Sequence, residues 1–550
     1  MPTVELDKKD LMHFIGKDFP DEKLKEKIPM LGTDLEKIDG NTVTVEIFPD
    51  RPDMLCEEGL GRALQGFLGV KKGPVRYNVK KGQYKVIVDK EMESIKPYVG
   101  FAVLKGVKFT DTFIKSHMQL QDKLSTTHCR KRKKAGMGVY DLAKIKFPIK
   151  FKSIGSDDKF IPLLLNKEMK VIEIIEKHPK GKEYGHLLKG KRYAAFVDAE
   201  GKIMGMPPIT QADFSKVTEN TKDILVEVTG ADWKVMIQLL NILVCNWAER
   251  GAEIHSVQIE YPYKTPAGQN ITMPQLEPVK TELDIGYVNK LLGLKLTAKE
   301  AAELLERMRC GTKVQGNKIS VEVPCYRTDI LHAADLIEDI AIAYGYENFK
   351  PEIPKVATIS EENPKSLFTK KVAETAVGLG LLECVNYHLT NKNVLFKNMN
   401  IKEDKNVVKA MNAVNIEYNT VRNALMPMLL KVLGENKHHE YPQELFEIGE
   451  VVSAKDEKII ENVNIAITLA HTGADFTEIR SMAEALLDAI GHKPEFKPTE
   501  HPSFIEGRAS EIIADGKKLG VLGEIHPQVL NNFEIEQPVA AMEIKLNLLL

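Results

Sequence analysis

Apolar residues in the first part of the chain follow a strand pattern and then a helical pattern. Residues 42–47 (TVTVEI) are β-branched with partial alternation, which predicts a strand. Three leucines from position 60 onward recur every four residues, which predicts a helix that Asp53 would cap. These elements predict a small α/β domain over residues 1–85.

From residue 86 the pattern is mostly that of strands, among them DILVEVTG at residues 223–230. One long helix is predicted from Asp232 to about Glu249. Residues 86–265 are therefore predicted to form a second, mixed domain. The segment KTPAGQNITMPQLEP combines three prolines with little periodicity, which predicts a linker over residues 266–278.

Residues 279–350 predict a compact domain of two short helices, a strand and a third helix. Thr297 can cap the second helix, and Glu300 stands at the matching capping-box position. This order of elements at this length favours a winged-helix-like fold. Residues 351–550 mix helices with strands such as NVNIAITLAH and predict one sheet domain. Taken together, the segments predict a multidomain chain of α/β and α+β domains.

Composition excludes several classes of protein. Of 550 residues, 43% are hydrophobic and 28% are charged, which is ordinary for a globular chain, and the net charge of −2 favours no particular partner. The six cysteines form no CxxC pair, so neither a zinc site nor a disulfide framework is indicated, and a reducing compartment is favoured. The N-terminus has no apolar signal core and no window is long enough to span a bilayer, so we expect a cytoplasmic location without a membrane partner.

Four carboxylates are crowded into residues 329–339 of PCYRTDILHAADLIEDIAIAYGYENF, with Arg327 as the nearby cation. They are Asp329, Asp335, Glu338 and Asp339. The last three fall at i, i+3 and i+4 of the predicted helix, on one face. One interpretation is a solvated face whose acids stabilise the helix dipole by about 0.3–1 kcal/mol each. The other is a Mg²⁺ site, because that ion takes hard oxygen ligands and the set of four carboxylates includes no histidine or thiol, which argues against a soft metal.

The same stretch resembles the metal-binding domain of the beta-subunit family of phenylalanine–tRNA ligase. EIFPDRPDMLCEEGLGRAL is similar to the family's N-terminal segment. LQDKLSTTHCRKRKKAGMGVYDLAKI and MGMPPITQADFSKVTENTKDILVEVTGAD resemble its tRNA-editing domain, and NTVRNALMPMLLKVLGENKHHEYPQELFEIGEVV resembles its C-terminal part. The segments follow the family order over nearly the whole chain and look like the shorter archaeal-type or eukaryotic-type form.

The resemblance implies a beta subunit that, with an alpha subunit, attaches phenylalanine to its tRNA using ATP. It implies an α₂β₂ heterotetramer in which alpha binds ATP and phenylalanine, with phenylalanine tRNA as the further partner. The implied fold is a tRNA-editing domain, a winged-helix-like metal-binding domain and a catalytically inactive class II synthetase-like core built on an antiparallel sheet.

The resemblance also places the family's metal positions on this chain, with Mg²⁺ as the cofactor. They fall on Asp329, Asp335, Glu338 and Asp339, and Asp339 stands where glutamate is common in the family. Whether the ion is structural or acts at an interface stays open, although the missing ATP-activating motifs favour a structural role.

Editing is the chemistry expected in this chain. An apolar pocket rejects an added hydroxyl by only roughly 10²-fold, so a second site that selects tyrosine and hydrolyses its ester is useful. Glu227 and Thr229 share one face of the predicted strand. The resemblance implies that Glu227 accepts the tyrosine hydroxyl, that Thr229 shapes the pocket, and that Gly205, Met206 and Pro207 form the opposite wall. The alternative is that Glu227 is an exposed strand residue.

Activation of phenylalanine is not expected in this chain, because residues 351–550 contain no GxGxGxxR motif. Adenylate formation depends on arginine and Mg²⁺ clamps on developing charge. A second hypothesis keeps the partner and the tRNA but makes the chain a non-catalytic tRNA-binding or assembly scaffold with a dead editing pocket. The two hypotheses differ in whether residues 86–265 hydrolyse mischarged tRNA.

Five consecutive cations, RKRKK, lie inside the second domain. They are Arg130, Lys131, Arg132, Lys133 and Lys134. Such a run is commonly a solvated face or a phosphate-binding patch. Beside an editing domain it predicts contacts with the tRNA backbone, which would depend on salt and carry no base information.

Overall fold

The computed structural model describes residues 2–456 and 458–549. The chain divides into two compact units, Met1–Glu352 and Ile353–Leu550. Among the described residues, no helix combines the length and the apolar character that crossing a bilayer requires.

The first unit begins with a three-stranded antiparallel sheet covered by helices. Its elements are β1 (Thr3–Asp7), α1 (Lys8–Ile15), α2 (Asp21–Lys27), β2 (Thr33–Asp39), β3 (Thr42–Ile47) and α3 (Glu57–Phe67), with sheet order β1-β3-β2. Strand β3 confirms the strand prediction. The predicted cap was wrong: α3 begins after Cys56, and Asp53 instead accepts hydrogen bonds of 2.9 Å from Nε and Nη2 of Arg51.

A ten-stranded sheet forms the middle of this unit. Its strands are β4 (Val79–Val88), β5 (Tyr98–Lys105), β6 (Ala135–Asp141), β7 (Ile149–Ile154), β10 (Tyr193–Val197), β11 (Ile203–Met206), β12 (Thr210–Gln211), β13 (Ile224–Gly230), β14 (Glu253–Thr265) and β15 (Gly268–Met273); β8 (Lys159–Phe160) and β9 (Met169–Lys170) form a separate ribbon. The sheet order is β12-β11-β10-β7-β4-β14-β5-β13-β6, with β15 paired to β14.

Helices cover this sheet. They are α4 (Met92–Ile95), α5 (Asp111–Thr126), α6 (Val171–Lys177), α7 (Pro179–Tyr184) and α8 (Trp233–Glu249). Helix α8 confirms the long helix predicted here, and Asp232 caps it by accepting from the backbone N–H of Val235 at 3.1 Å. Two expectations fail. Strand β4 crosses the expected boundary at residue 85, and β15 occupies the expected linker over residues 266–278.

The linker prediction failed because its prolines lie outside the ladder. The turn at Pro266 closes a hairpin in which Thr265 Oγ1 donates to the carbonyl of Gly268 at 2.7 Å. Strand β15 then ends at Met273, immediately before Pro274. Proline is tolerated at turns and strand ends, where no ladder N–H is needed.

The last part of the first unit contains the carboxylate helix. Its elements are β16 (Val279–Asp284), α9 (Ile285–Leu292), α10 (Ala298–Arg307), β17 (Gly311–Gln315), β18 (Lys318–Val323) and α11 (Ala333–Tyr344), and the antiparallel sheet order is β16-β18-β17. The predicted capping box is confirmed, because Thr297 Oγ1 accepts from the Glu300 N–H and Glu300 Oε2 accepts from the Thr297 N–H.

The second unit is a seven-stranded, mostly antiparallel sheet. Its elements are α12 (Pro364–Gly378), β19 (Leu382–Glu383), β20 (Leu389–Thr390), β21 (Thr420–Val421), α13 (Met426–Glu435), β22 (Gln443–Lys455), β23 (Lys458–Ala470), α14 (Phe476–Ile490), β24 (Glu495–Pro498), β25 (Phe504–Ala514), β26 (Lys517–Ile525), α15 (Pro527–Asn532) and β27 (Val539–Lys545). The sheet order is β19-β22-β23-β27-β26-β25-β24, and the apolar sides of α12 and α14 bury one of its faces.

Candidate functional site

A cavity of about 990 Å³ opens beside the ten-stranded sheet of the first unit. Strands β6 and β13, helix α5 and the segment that follows β11 contribute to its wall. The residues that bear on its chemistry are Glu227, Tyr140, Gly138, Pro207, Pro208, Arg132 and His117. The cavity is large enough for an amino acid together with part of its ester partner.

Glu227 lies on β13 and is only 2% exposed, so it is not the exposed strand residue of the alternative interpretation. Its Oε2 accepts a 3.3 Å hydrogen bond from the Tyr140 hydroxyl, whereas its Oε1 is buried and has no hydrogen-bond partner among the described residues. Burial raises the pKa of Glu227 to about 8, and the nearby charge of Lys96 opposes that rise. Near neutral pH the side chain is therefore mostly a neutral carboxyl, which can both donate and accept a hydrogen bond.

The room for this carboxyl depends on a glycine in the neighbouring strand. Gly138 on β6 stands opposite Glu227, and a Cβ added there would lie 2.8 Å from Glu227 Oε2. The same Cβ would lie 3.1 Å from the Tyr140 hydroxyl oxygen. Any larger residue at this position would displace the carboxyl, because the backbone cannot retreat within a paired strand.

Thr229 follows on the same face of β13, opposite Gly136. The residue is completely buried, and its Oγ1 has no hydrogen-bond partner among the described residues. Thr229 lies next to the cavity without lining it. The structure therefore brings Glu227 and Thr229 together as the strand pattern predicted, and places Glu227 at the wall.

The opposite wall differs in detail from the prediction. Pro207 lines the cavity together with Pro208. Gly205 stands behind that surface, where an added Cβ would lie 3.0 Å from the Tyr140 hydroxyl. Met206 is completely buried in an adjoining apolar core. Of the three predicted residues, only Pro207 contacts the cavity directly.

Tyr140 and His117 are cavity residues that the sequence analysis missed. Tyr140 had a usable signal, since Gly136, Gly138 and Tyr140 alternate in GMGVYD and so share one face of a strand. His117 on α5 had none. Burial lowers its pKa to about 3, so it is neutral, and its Nε2 has no partner among the described residues.

The five-cation run forms the turn between α5 and β6. Arg130, Lys131 and Arg132 have φ of 48°, 52° and 61°, a left-handed conformation that is costly for side chains with a Cβ. Arg132 turns toward the cavity, donates to the carbonyl of Pro208 at 2.7 Å and lies over the Tyr184 ring. Lys134 pairs with Asp232 at 3.0 Å.

The other three cations of this turn point outward. Arg130, Lys131 and Lys133 are exposed. None has an ion-pair partner within the part of the chain that the structure describes. Part of the run is therefore an exposed basic surface that phosphates can reach, and the rest is held in contacts within the domain, with Arg132 in the cavity wall.

The carboxylate stretch is organised around Arg327. Its Nε and Nη2 donate to Asp329 at 2.8 and 2.6 Å, and Nη2 also donates to Asp339 Oδ1 at 3.0 Å. Asp339 is 3% exposed and turned inward, so the interpretation of a solvated face is wrong for this residue. An ionised carboxylate is readily buried only when it is paired, and the buried Arg327 guanidinium supplies the partner that lets Asp339 lie inside the domain.

The remaining two carboxylates are on the surface. Asp335 Oδ2 accepts from the N–H groups of Leu331 and His332, both at 2.6 Å, and so caps the N-terminus of α11. Glu338 makes no hydrogen bond or ion pair within the described residues. Burial raises the pKa of Glu338, and the charges of Asp339, Asp50, Asp335 and Asp329 raise it further.

The donor set fits Mg²⁺ in chemistry, because every candidate ligand is a carboxylate oxygen. The surroundings of Glu338 favour a bound cation, because the charges of four other carboxylates act on Glu338 and it has no partner among the described residues. Arg327 already neutralises Asp329 and Asp339 in this conformation. Asp335 and Glu338 are thus the two carboxylates able to reach an ion without breaking a buried pair.

Among the described residues, three or more ligand atoms close enough to share one ion occur in a single group, and the four carboxylates around Arg327 are not that group in this conformation. Ligand atoms of Glu444, His471 and Glu478 lie within 4.8 Å of one another. His471 Nδ1 accepts from the Gly473 N–H at 3.2 Å, which leaves the proton of a neutral ring on Nε2, and Nε2 lies 2.9 Å from Glu478. This is an ordinary ion pair or hydrogen bond rather than an open metal site.

Comparisons with known proteins agree over the whole length. The model of the phenylalanyl tRNA synthetase beta chain CLM domain matches residues 350–546, and the model of the tRNA synthetase B5 domain matches residues 281–346. The phenylalanine–tRNA ligase beta subunit of Archaeoglobus fulgidus is 40% identical over 100% of this chain and 98% of its own length. That of Pyrococcus horikoshii is 37% identical over 99% of both chains.

A solved structure resembles the first unit. It is an N-terminal fragment of the phenylalanyl-tRNA synthetase beta subunit from Pyrococcus horikoshii, with a TM-score of 0.60 and 35% identity. The match covers 63% of this chain and 100% of the fragment.

Proposed function

The chain belongs to the phenylalanine–tRNA ligase beta-subunit family, and from that premise we propose that it works with an alpha subunit in an α₂β₂ ligase. In this proposal the alpha partner binds ATP and phenylalanine and forms the aminoacyl ester. The present chain contributes tRNA contacts and editing. Two features support leaving activation to the partner: residues 351–550 lack the GxGxGxxR motif, and the buried Arg422 of that unit is committed to Glu447.

The editing role rests on the buried carboxyl of Glu227 at the wall of the cavity. A tyrosine side chain in the cavity would place its hydroxyl against Glu227 Oε1, the oxygen that has no partner among the described residues. Phenylalanine would leave that oxygen unpaired, at a cost of about 1–3 kcal/mol. The expected preference for tyrosine is therefore about 10- to 100-fold from this contact alone.

The hydrolytic step needs only a positioned water. Water attacks the ester carbonyl carbon, the bond to the terminal ribose oxygen of the tRNA breaks, and that oxygen takes up the proton. We propose that the cavity wall and the tRNA ribose together position this water, while Glu227 acts on the distant end of the amino acid. Glu227 is thus a specificity residue, and its removal should change which ester is cleaved.

The test compares hydrolysis of tyrosyl-tRNA and phenylalanyl-tRNA, both on the phenylalanine tRNA, by the complex. Glu227→Ala should lose the tyrosine preference, whereas Glu227→Gln, which keeps a neutral side chain that can donate and accept at the same place, should retain most of it near neutral pH. Glu219→Gln is the matched control, because Glu219 lines the same cavity but is exposed. Absence of tyrosine-selective hydrolysis by the native complex would leave the scaffold hypothesis, with a dead pocket.

For magnesium we propose a site among the carboxylates of Asp329, Asp335, Glu338 and Asp339, in which Asp335 and Glu338 are the direct ligands and Asp329 and Asp339 stay paired with Arg327. When bound, it would neutralise the charge gathered around Glu338 and tie α11 to the segment that precedes it. Calorimetric titration with Mg²⁺ should give heat in the native chain and little in Glu338→Gln. Glu303→Gln is the control, an exposed glutamate on α10 of the same domain. Equal heats in all three proteins would remove the site.

A further inference from the structure

A second cavity, of about 330 Å³, lies in the unit Ile353–Leu550. It opens on one face of the seven-stranded sheet, next to the N-terminus of α13. Its apolar wall comes from Leu395, Met399, Ile401, Met426 and Val521. A volume of this size suits a molecule of about the size of one amino acid.

Three polar residues of this cavity lie on one face of the sheet. Asn464 on β23 stands directly opposite Lys545 on β27, so their Cβ atoms are about 4.5–5.5 Å apart. Glu543 is two residues before Lys545 on the same strand and therefore shares that face, roughly 7 Å away. All three line the cavity.

The orientation of the Asn464 amide follows from its bond to Glu543. Its Nδ2 donates to Glu543 Oε1 at 2.6 Å, and the same carboxylate accepts from the N–H groups of Leu425 and Met426 at 3.1 and 2.9 Å. Burial raises the pKa of Glu543, and the backbone N–H groups and the Asn464 amide oppose that rise. In its ionised form the carboxylate can only accept, so the amide nitrogen faces it. Asn464 Oδ1 is then left buried, in a residue only 4% exposed, with no donor among the described residues.

Charge in the cavity is separated along the strand. Glu543 has no lysine or arginine within ion-pair distance in the described part of the chain, since Arg422 is paired with Glu447. Lys545 is exposed at the rim and has no acidic partner there, whereas the neighbouring Lys518 pairs with Glu511. The cavity therefore presents an acceptor and a negative charge at its floor and a positive charge at its rim.

We propose that this cavity binds a small zwitterion with an apolar substituent, in chemical class an α-amino acid. Its ammonium donates to Asn464 Oδ1 and lies against Glu543, its carboxylate meets Lys545, and its side chain packs against Leu395 and Met399. The ammonium supplies the donor that Asn464 lacks, and the two charges of an amino acid are spaced closely enough to meet partners about two strand residues apart. This site does not depend on the proposed function.

The experiment is calorimetric titration of the full chain, without an alpha subunit, with L-leucine, isoamylamine and 4-methylpentanoate. The amino acid should bind, and each one-charge analogue should bind at least about tenfold more weakly, the order of one charge-assisted hydrogen bond. Lys545→Gln should weaken binding of the amino acid at least about tenfold and leave binding of the amine unchanged. Glu227→Gln, in the other cavity, should change neither.

Two variants keep the test decisive. Asn464→Leu should abolish binding of the amino acid and the amine, but it also takes a donor from Glu543 and can lower stability. Ala424→Phe fills the cavity without touching its polar floor and should abolish binding in a folded chain. No binding of any probe at millimolar concentration, binding that survives Ala424→Phe, or an amine that binds as tightly as the amino acid would each overturn the proposal.

Discussion

Replacement of Arg327 by methionine should destabilise the carboxylate domain strongly, because it leaves the buried Asp339 and the partly buried Asp329 without the cation that pairs with both. Burial by itself would raise the pKa of Asp329, but the Arg327 guanidinium, with smaller contributions from Arg51 and a backbone N–H, overrides that effect and holds the pKa at about 2, against the usual 3.8. At about 1.36 kcal/mol per unit, this difference corresponds to about 2 kcal/mol for Asp329 alone. Asp339 loses its partner too, so the total should approach the roughly 3–5 kcal/mol expected for a broken buried pair.

The effect should depend on pH in one direction. The folded-state pKa of Asp329 is below its unfolded value, so the stabilisation is complete above about pH 4 and is lost as the pH falls toward 2. The gap between native and variant protein should therefore be widest near neutral pH and should narrow below about pH 4.

The assay must report on this domain in particular. Both tryptophans, Trp233 and Trp247, lie on α8 of the second domain, so fluorescence would not report on α11. Urea titrations at neutral and acid pH should be followed by pulsed hydrogen exchange of peptides from α11. Lys318→Met is the control, since it removes an exposed pair with Glu282 and should cost less than about 1 kcal/mol.

Two results would refute the proposed role of Arg327. One is a loss of stability no larger than that of the Lys318 control. The other is a loss that stays the same between neutral and acid pH, because the carboxylates would then not be the source of the effect.

Three further predictions concern the second domain. Glu227→Gln should stabilise this domain at pH 7 by about 2–3 kcal/mol, because a carboxyl with a folded pKa of about 8 must take up a proton on folding. Urea unfolding should show that this gain in stability fades toward pH 5. An equal gain at both pH values would contradict the prediction. Gly138→Ala should abolish tyrosine selectivity in a folded protein, whereas Gly136→Ala, with nothing nearer than 3.8 Å, should retain it; equal selectivity in the two variants would contradict this. Neutralising Lys131 and Lys133 should weaken tRNA binding. The slope of log K against log salt should fall by about 0.7–0.9 for each phosphate that is no longer neutralised. An unchanged slope would count against a role in phosphate binding.

Editing and stability are in conflict at Glu227. A buried carboxyl without a full set of hydrogen bonds lowers the stability of the fold, and the same unsatisfied oxygen is what a tyrosine hydroxyl can meet. Residues that break a local rule of packing are commonly functional. A variant that is more stable and less selective would show both halves of this conflict in one protein.

The sequence by itself determined the elements whose formation is local. Strand β3, helix α8 with its Asp232 cap, and the capping box of Thr297 and Glu300 all follow from periodicity and from hydrogen bonds that span three residues. The shared face of Glu227 and Thr229 follows in the same way, since alternate strand residues point to the same side. The order of the family's motifs could also be recognised from the sequence, because each motif is a continuous run of residues.

Only the tertiary structure decided which partner each of these residues meets. Asp335, Glu338 and Asp339 occupy neighbouring positions on α11, yet one caps the helix, one is unpaired among the described residues and one is buried against Arg327. Arg132 belongs to a run of five like cations but forms part of the cavity wall. Periodicity tells which residues share a face, whereas burial, pairing and pKa depend on segments far apart in the chain that fold against that face.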